Sequence, residues 1–225
     1  MGKITVVGLG PGRAGLITRE AWELMEKADD LRLRTGIHPT VSALDDAGVK
    51  YTTYDHMYET AGSFAELYDS IAKNLADDAK DKDIVYAVPG SPLVAEQTVV
   101  LLRDMSRRPG AGFKLTILPG MSFAEVLYTE LGIDPLGGVA ILDAEDIESL
   151  PPDNKLGLVV TQVYDTRTAS DAKLSLMDIY PEDYEVIFVY HLGMSDEDLR
   201  HIPLYELDRQ KDIDHLTSVF VPIRK

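Results

Sequence analysis

The chain has 225 residues, 45% of them apolar, enough to bury a substantial core in one large or two modest domains. The absence of cysteine excludes disulfides, thiolate catalysis and thiolate metal sites, and fits a cytoplasmic protein. The net charge of −16, from 38 acidic against 22 basic residues, has the wrong sign for neutralising phosphates, so no nucleic acid is expected as a partner; nor is a signal peptide or membrane span expected, since no apolar run reaches the roughly 18 residues a span needs.

Lys3 to Val7, KITVV, predicts a strand that opens onto a Gly-rich turn, and Thr18 can cap a helix with Ala21, Leu24, Met25 and Ala28 on one face. LRLR at 31–34 precedes a second helix, led by His38-Pro39 and ending at Gly48, and 51–54 suggests a third strand. Ser63 and Glu66 form a capping box for a helix carrying Phe64, Leu67, Tyr68, Ile71 and Leu75. Its charge-rich end, LADDAKDKD, is a solvated surface. Asp83 to Val88 is the fourth strand, with a helix over 93–107, and Lys114 to Leu118 is the fifth. Strands alternating with helices argue for a parallel, doubly wound sheet covered on both faces.

At RPGAG, 108–112, the composition turns loop-like, and a second α/β domain with a mixed sheet is expected to start at 114, dividing the chain into 1–113 and 114–225. Ser122 and Glu125 box a helix from Phe123 to Leu131. Strands follow near 138–143, 157–163, 185–191 and 217–221, with a helix near 170–179.

Three segments each follow a predicted strand: GLGPGRAG at 8–15, VPGSPLV at 88–94 and LPGMSF at 118–123. In an open parallel sheet, ligands bind outside the carboxyl ends of the strands, where the connections diverge. Gly permits close backbone approach and Pro fixes φ, so such turns can present a fixed array of N–H and C=O groups to a small polar ligand. The helix starting at Ser122 would add free N–H groups toward an anion. Gly10 to Gly15, GPGRAG, also matches the dinucleotide pattern G-x-G-x-x-G, with Asp29 and Asp30 downstream for a ribose, which keeps an NAD-dependent oxidoreductase as an alternative. There is no Walker A sequence. The Glu145/Glu148 and Glu182/Glu185 pairs sit beside Pro or helix starts and read as solvated or capping groups, not as a metal site.

In this order and spacing, VVGLGPGRAGLIT, VYAVPGSPLVAE and ILPGMSFAE resemble the motifs of the tetrapyrrole (corrin and porphyrin) methylases. LRTGIHP, YDHMYETAGSFAELYDSIA, TQVYDTRTASDAKLSLMDIYPEDYEV and ELDRQKDIDHLTSVFVP are similar to the methylase-like half of YabN-type proteins, which usually continue into a MazG-type nucleotide pyrophosphohydrolase. The resemblance implies two α/β domains with S-adenosylmethionine in the cleft between them, a homodimer, and a possible fused pyrophosphohydrolase beyond Lys225. Carried over residue by residue, it assigns cofactor contacts to Pro11, to Pro89, Gly90, Ser91 and Val94, and to Met121, Ser122 and Phe123. Gln162, Val163 and Leu192 are fainter matches. The family usually has Gly-Asp-Pro where this sequence has Gly90-Ser91-Pro92, so weaker cofactor binding is expected.

Methyl transfer from a sulfonium is an in-line displacement on an activated donor, so alignment and water exclusion can carry it without an obligatory acid or base. Should a base be needed, Tyr54, His56, Tyr58 and His191 are candidates, and Arg34 and His38 could meet an acidic acceptor. The expected function is methyl transfer to a small molecule, a tetrapyrrole among the candidates. The alternative is a noncatalytic S-adenosylmethionine-binding module that regulates a fused MazG-type enzyme.

Overall fold

The computed structural model describes residues 1–58 and 61–224. The chain divides into two compact units, Met1–Val126 and Leu127–Lys225.

In the first unit, β1 (Lys3–Gly8), β2 (Leu31–Leu33), β3 (Thr52–Thr53), β4 (Ile84–Val88) and β5 (Lys114–Ile117) form one parallel sheet in the order β3-β2-β4-β1-β5. Strand β4 is apolar and buried along its whole length, as a central parallel strand must be when helices cover both faces. One face packs Val7, Leu9, Val85 and Ala87 against Ala21 and Met25 of α1 (Arg19–Glu26) and Val41 and Leu44 of α2 (Val41–Asp46). The opposite face packs Ile4, Val6, Ile84, Tyr86 and Val88 against α4 (Phe64–Asp78) and α5 (Gln97–Ser106), with the short α3 (Asp55–Tyr58) leading into α4. Thr18 and Ser63 cap α1 and α4 through their hydroxyls, as their positions predict.

The second unit has the mixed sheet β6-β7-β10-β8-β9, built from β6 (Val139–Asp143), β7 (Gly157–Thr161), β8 (Glu185–Tyr190), β9 (Asp198–Pro203) and β10 (Ser218–Val221). Only β6 and β7 are parallel neighbours; the remaining three pairings are antiparallel. One face buries Leu158, Val160, Val186, Phe188, Val219 and Val221 against Ala169, Ala172 and Leu176 of α7 (Thr166–Met177).

Two expectations need correction, and two elements were not expected. The boundary at 113/114 moves to 126/127, because β5 pairs in register with β1 from Lys3↔Lys114 to Val6↔Ile117 and completes the first sheet. The division falls inside α6 (Phe123–Leu131). The strand β9 and the four-residue α3 carry no expectation at all, and the helix expected from about 93 starts at Gln97, after a turn through Ala95 at φ 54.

Candidate functional site

Strands β4, β1 and β5 are neighbours, so the turns leaving them emerge side by side at one sheet edge. The connection from β1 runs to β2 through α1 on one face, whereas that from β4 runs to β5 through α5 on the other. Between β1 and β4 the connections therefore diverge, which is where open α/β sheets hold their ligands.

The first two turns are joined by their main chains. Gly10 N donates to Gly90 O at 3.2 Å and Gly90 N to Gly10 O at 2.9 Å, an antiparallel bridge between left-handed glycines with φ 75 and 65. A β-carbon at Gly8 would lie 2.3 Å from Gly90 O, and one at Gly120 would lie 2.8 Å from Cδ of Pro92, so bare backbone is required for the three turns to close on each other. At Gly90 a β-carbon would meet open space. Pro11, Pro89, Ser91, Val94 and Met121 are all partly accessible around this junction, and the Ser91 hydroxyl bonds to no other described residue.

Two side chains the sequence does not mark as special hold the turns. Thr40 is fully buried, and its hydroxyl lies 2.9 Å from the carbonyl of Leu9 and 3.0 Å from that of Gly12, which ties the first turn to the start of α2. Glu96, 4% exposed, ends the second turn: it accepts from Thr98 N to cap α5 and lies 3.3 Å from Arg34 at the end of β2. Burial raises the Glu96 pKa and Arg34 opposes the rise; burial likewise opposes the Arg34 charge, but Glu96 and nearby tyrosines outweigh it and raise its pKa. Arg34 Nε is buried without a hydrogen-bond partner among the described residues.

At the third turn, Ser122 N donates to Glu125 Oε2 at 2.8 Å and Ala124 N to Ser122 Oγ at 3.1 Å. Two of the donors at this helix start are thus spent inside the capping box, and less positive N–H is left for an anion than the sequence suggests.

The remaining candidates are spread out. His38 faces the first turn, and burial, aided by Arg34 and partly offset by a bond to the backbone of Gly10, lowers its pKa to about 4. Tyr54 is built into a network: Arg32 Nη1 donates to its hydroxyl at 3.1 Å, and that hydroxyl donates to Asn74 at 2.7 Å. Arg32 also grips Asp30, whose pKa falls to about 2. His56 is exposed and Tyr58 is 37% exposed. In the second unit, Gln162 directly follows β7 at φ 62 and is exposed, with Val163 buried behind it; His191 directly follows β8 at φ 47 and precedes buried Leu192.

The dinucleotide pattern finds no matching geometry in the described residues. After β1 the chain makes a single 3-10 turn at Ala14–Leu16 and α1 begins only at Arg19, so the glycines of GPGRAG do not open a helix. Among the described residues, no helix is long and apolar enough to cross a membrane.

Comparison with known proteins bears on the fold and the family. The chain is 40% identical over 221 residues to the uncharacterized protein YabN of Bacillus subtilis (strain 168), covering 98% of this chain and 45% of that protein. It thus spans about half the length of the curated relative it matches. Among solved structures, uroporphyrin-III-C-methyltransferase from Thermus thermophilus superimposes with a TM-score of 0.73 at 21% identity, over 98% of this chain and 94% of the other. A structure of uroporphyrin-III C-methyltransferase from the same organism, complexed with S-adenyl homocysteine, gives 0.72 at 18%, over 98% and 92%. Diphthine synthase gives 0.69 at 17%, over 99% and 90%. At these identities the likeness establishes the fold. The family model for Tetrapyrrole (Corrin/Porphyrin) Methylases matches residues 3–208, and the chain belongs to that family.

Proposed function

We propose that the three turns at 8–15, 88–94 and 118–123 bind S-adenosylmethionine and that the chain transfers its methyl group to a small-molecule acceptor, with a tetrapyrrole the first candidate. The observation that carries this reading is the Gly10–Gly90 main-chain bridge at the divergence of the β1 and β4 connections, with Gly120 closed against Pro92 beside it. Such a surface suits a ligand held by backbone groups, because Gly90 is left-handed and faces open space while its neighbours are locked.

When bound, the cofactor supplies an activated methyl group. The chain's own part is to hold, orient and exclude water, which together can lower a barrier by up to about 7 to 11 kcal/mol. Pro11, Pro89, Gly90 and Val94 would shape the main-chain cradle, Ser91 would offer its unpartnered hydroxyl, and Met121, Ser122 and Phe123 would border it. Gln162, Val163 and Leu192 are proposed as further contacts on the resemblance. His38, held neutral by burial, suits a place beside a cationic cofactor, since an imidazolium there would repel it.

Calorimetric titration with S-adenosylhomocysteine, with NAD as control, tests the reading. Binding of S-adenosylhomocysteine alone supports it; binding of neither ligand sinks it. A second reading, a noncatalytic binding module, is favoured by Ser91 in place of the family's acidic residue, and predicts binding without turnover across acceptors. A fused MazG-type pyrophosphohydrolase is proposed as partner, on the resemblance and on the greater length of the relative. A homodimer and a cytoplasmic location are proposed on the resemblance alone.

A further inference from the structure

Within the second unit, β10 lies between β7 and β8 and runs antiparallel to both, so the carboxyl ends of β7 and β8 share an edge with the start of β10. Both ends turn on a left-handed residue that is not glycine, Gln162 and His191. That conformation is disfavoured for any side chain with a β-carbon and persists only where the surroundings enforce it.

At His191 the enforcement is visible. Its Nδ1 lies 2.8 Å from Asp196 Oδ2 and its Nε2 lies 2.7 Å from Asp214 Oδ2, while its ring stacks on Tyr190 at 3.7 Å between centroids. Asp214 is itself fixed, since Leu216 N donates to its carboxylate and its own N donates to Thr217 Oγ1. Ionised carboxylates only accept hydrogen bonds, so two of them on the two ring nitrogens require both nitrogens to carry protons. The other charged neighbours are Asp212, which Arg200 neutralises at 2.6 Å, and the exposed His215, which acts on Asp214. Burial works against the imidazolium, yet Asp214 and Asp196 outweigh it and raise the His191 pKa above its ordinary 6.5; Asp214 is lowered in return.

We propose that His191 is a positioning residue: as an imidazolium it clasps the 192–197 segment to the segment preceding β10, and so fixes Leu192 where the cofactor is to be met. Ligand affinity is then coupled to the protonation of a side chain that does not touch the ligand. The coupling rests on the reading of Leu192 as a cofactor contact; the clasp does not.

The test combines ring NMR of His191, assigned by the signal lost in His191→Gln, with S-adenosylhomocysteine calorimetry at pH 6.5 and pH 9. The expected result is a ring that titrates above 6.5 and an affinity that falls about tenfold at the higher pH, the scale of losing one charge-assisted bond. His191→Gln should bind weakly at both pH values with no such step. His191→Arg, whose guanidinium can meet both carboxylates at either pH, should restore affinity at pH 9. A ring that titrates at or below 6.5, or a wild-type affinity flat with pH, overturns the proposal. The wild-type measurements need no substitution, so a variant that fails to fold leaves the test intact. A high-titrating ring in a chain that binds no S-adenosylhomocysteine at either pH would instead sink the proposed function, and the coupling with it, while the clasp stands.

Discussion

Gly10 and Gly90, 80 positions apart, exchange main-chain hydrogen bonds of 3.2 and 2.9 Å and so join the turns leaving β1 and β4 by an isolated antiparallel bridge beyond the end of their parallel ladder. Gly8, the last residue of β1, lies directly beneath this pair. Gly8→Ala would drive a β-carbon to 2.3 Å from Gly90 O, a backbone atom that cannot swing aside. The expected result is a loss of about 1 to 3 kcal/mol of stability by denaturant unfolding. S-adenosylhomocysteine binding should be lost as well, because the two turns can no longer meet.

Thr40→Val keeps the shape of the side chain and removes the hydroxyl that reaches the Leu9 and Gly12 carbonyls. Leaving those acceptors buried without this partner should cost about 1 to 3 kcal/mol. Cofactor affinity should fall in the same variant, since the first turn is no longer tied to α2. Urea unfolding and calorimetry together check both effects.

Ser91→Asp restores the acidic residue usual at this place in the family. A charged acceptor makes a hydrogen bond worth about 1.5 to 3 kcal/mol against about 0.5 to 1.5 for a neutral one, so S-adenosylhomocysteine affinity should rise roughly tenfold. Unchanged affinity by calorimetry would remove Ser91 from the site.

His38 predicts a particular acid sensitivity. Folded, it stays neutral down to about pH 4, whereas the unfolded chain protonates it near 6.5. Between those values the unfolded state binds more protons, so stability falls as the pH drops through that window. The urea midpoint of the wild type should decline from pH 6.5 to 4 more steeply than that of His38→Gln, which lacks the titrating ring. Equal slopes would mean that His38 titrates normally in the fold.

The sequence made the first unit's sheet readable because its central strands β1 and β4 are short apolar runs that open onto Gly- and Pro-rich turns, and the starts of α1 and α4 carry capping residues that bond as expected. What it left unread has physical causes. Strand β9, DLRHIP, is an edge strand paired only with β8, with Leu199 and Ile202 as its apolar residues, so it shows no buried run. The four residues of α3 are too few for a helical period to show. The boundary at RPGAG looked like a linker because a Gly- and Pro-rich turn is the same whether the next strand joins the old sheet or begins a new one. At the site, the three glycine turns were legible from composition. Their closure on one another was not, since the Gly10–Gly90 bridge and the Thr40 bonds join residues far apart in sequence. The Arg34–Glu96 pair lay hidden for the same reason: it spans 62 positions, and nothing local to Glu96 marks it as buried.

The strand order also dictates a sequence of events during synthesis. β1 and β2 are made first, but β4, which separates them in the finished sheet, emerges only some fifty residues after β2. A nascent chain of sixty residues therefore holds β1, β2 and β3, of which only β2 and β3 are neighbours, and the facing flanks of β1 and β2 wait for an insertion rather than an addition. Non-local parallel pairing of this kind is intrinsically slow and leaves unpaired strand surface open to aggregation meanwhile. It also means that the turn at Gly10 has no partner until residue 90 exists, so this surface is assembled late, when the middle of the sheet closes.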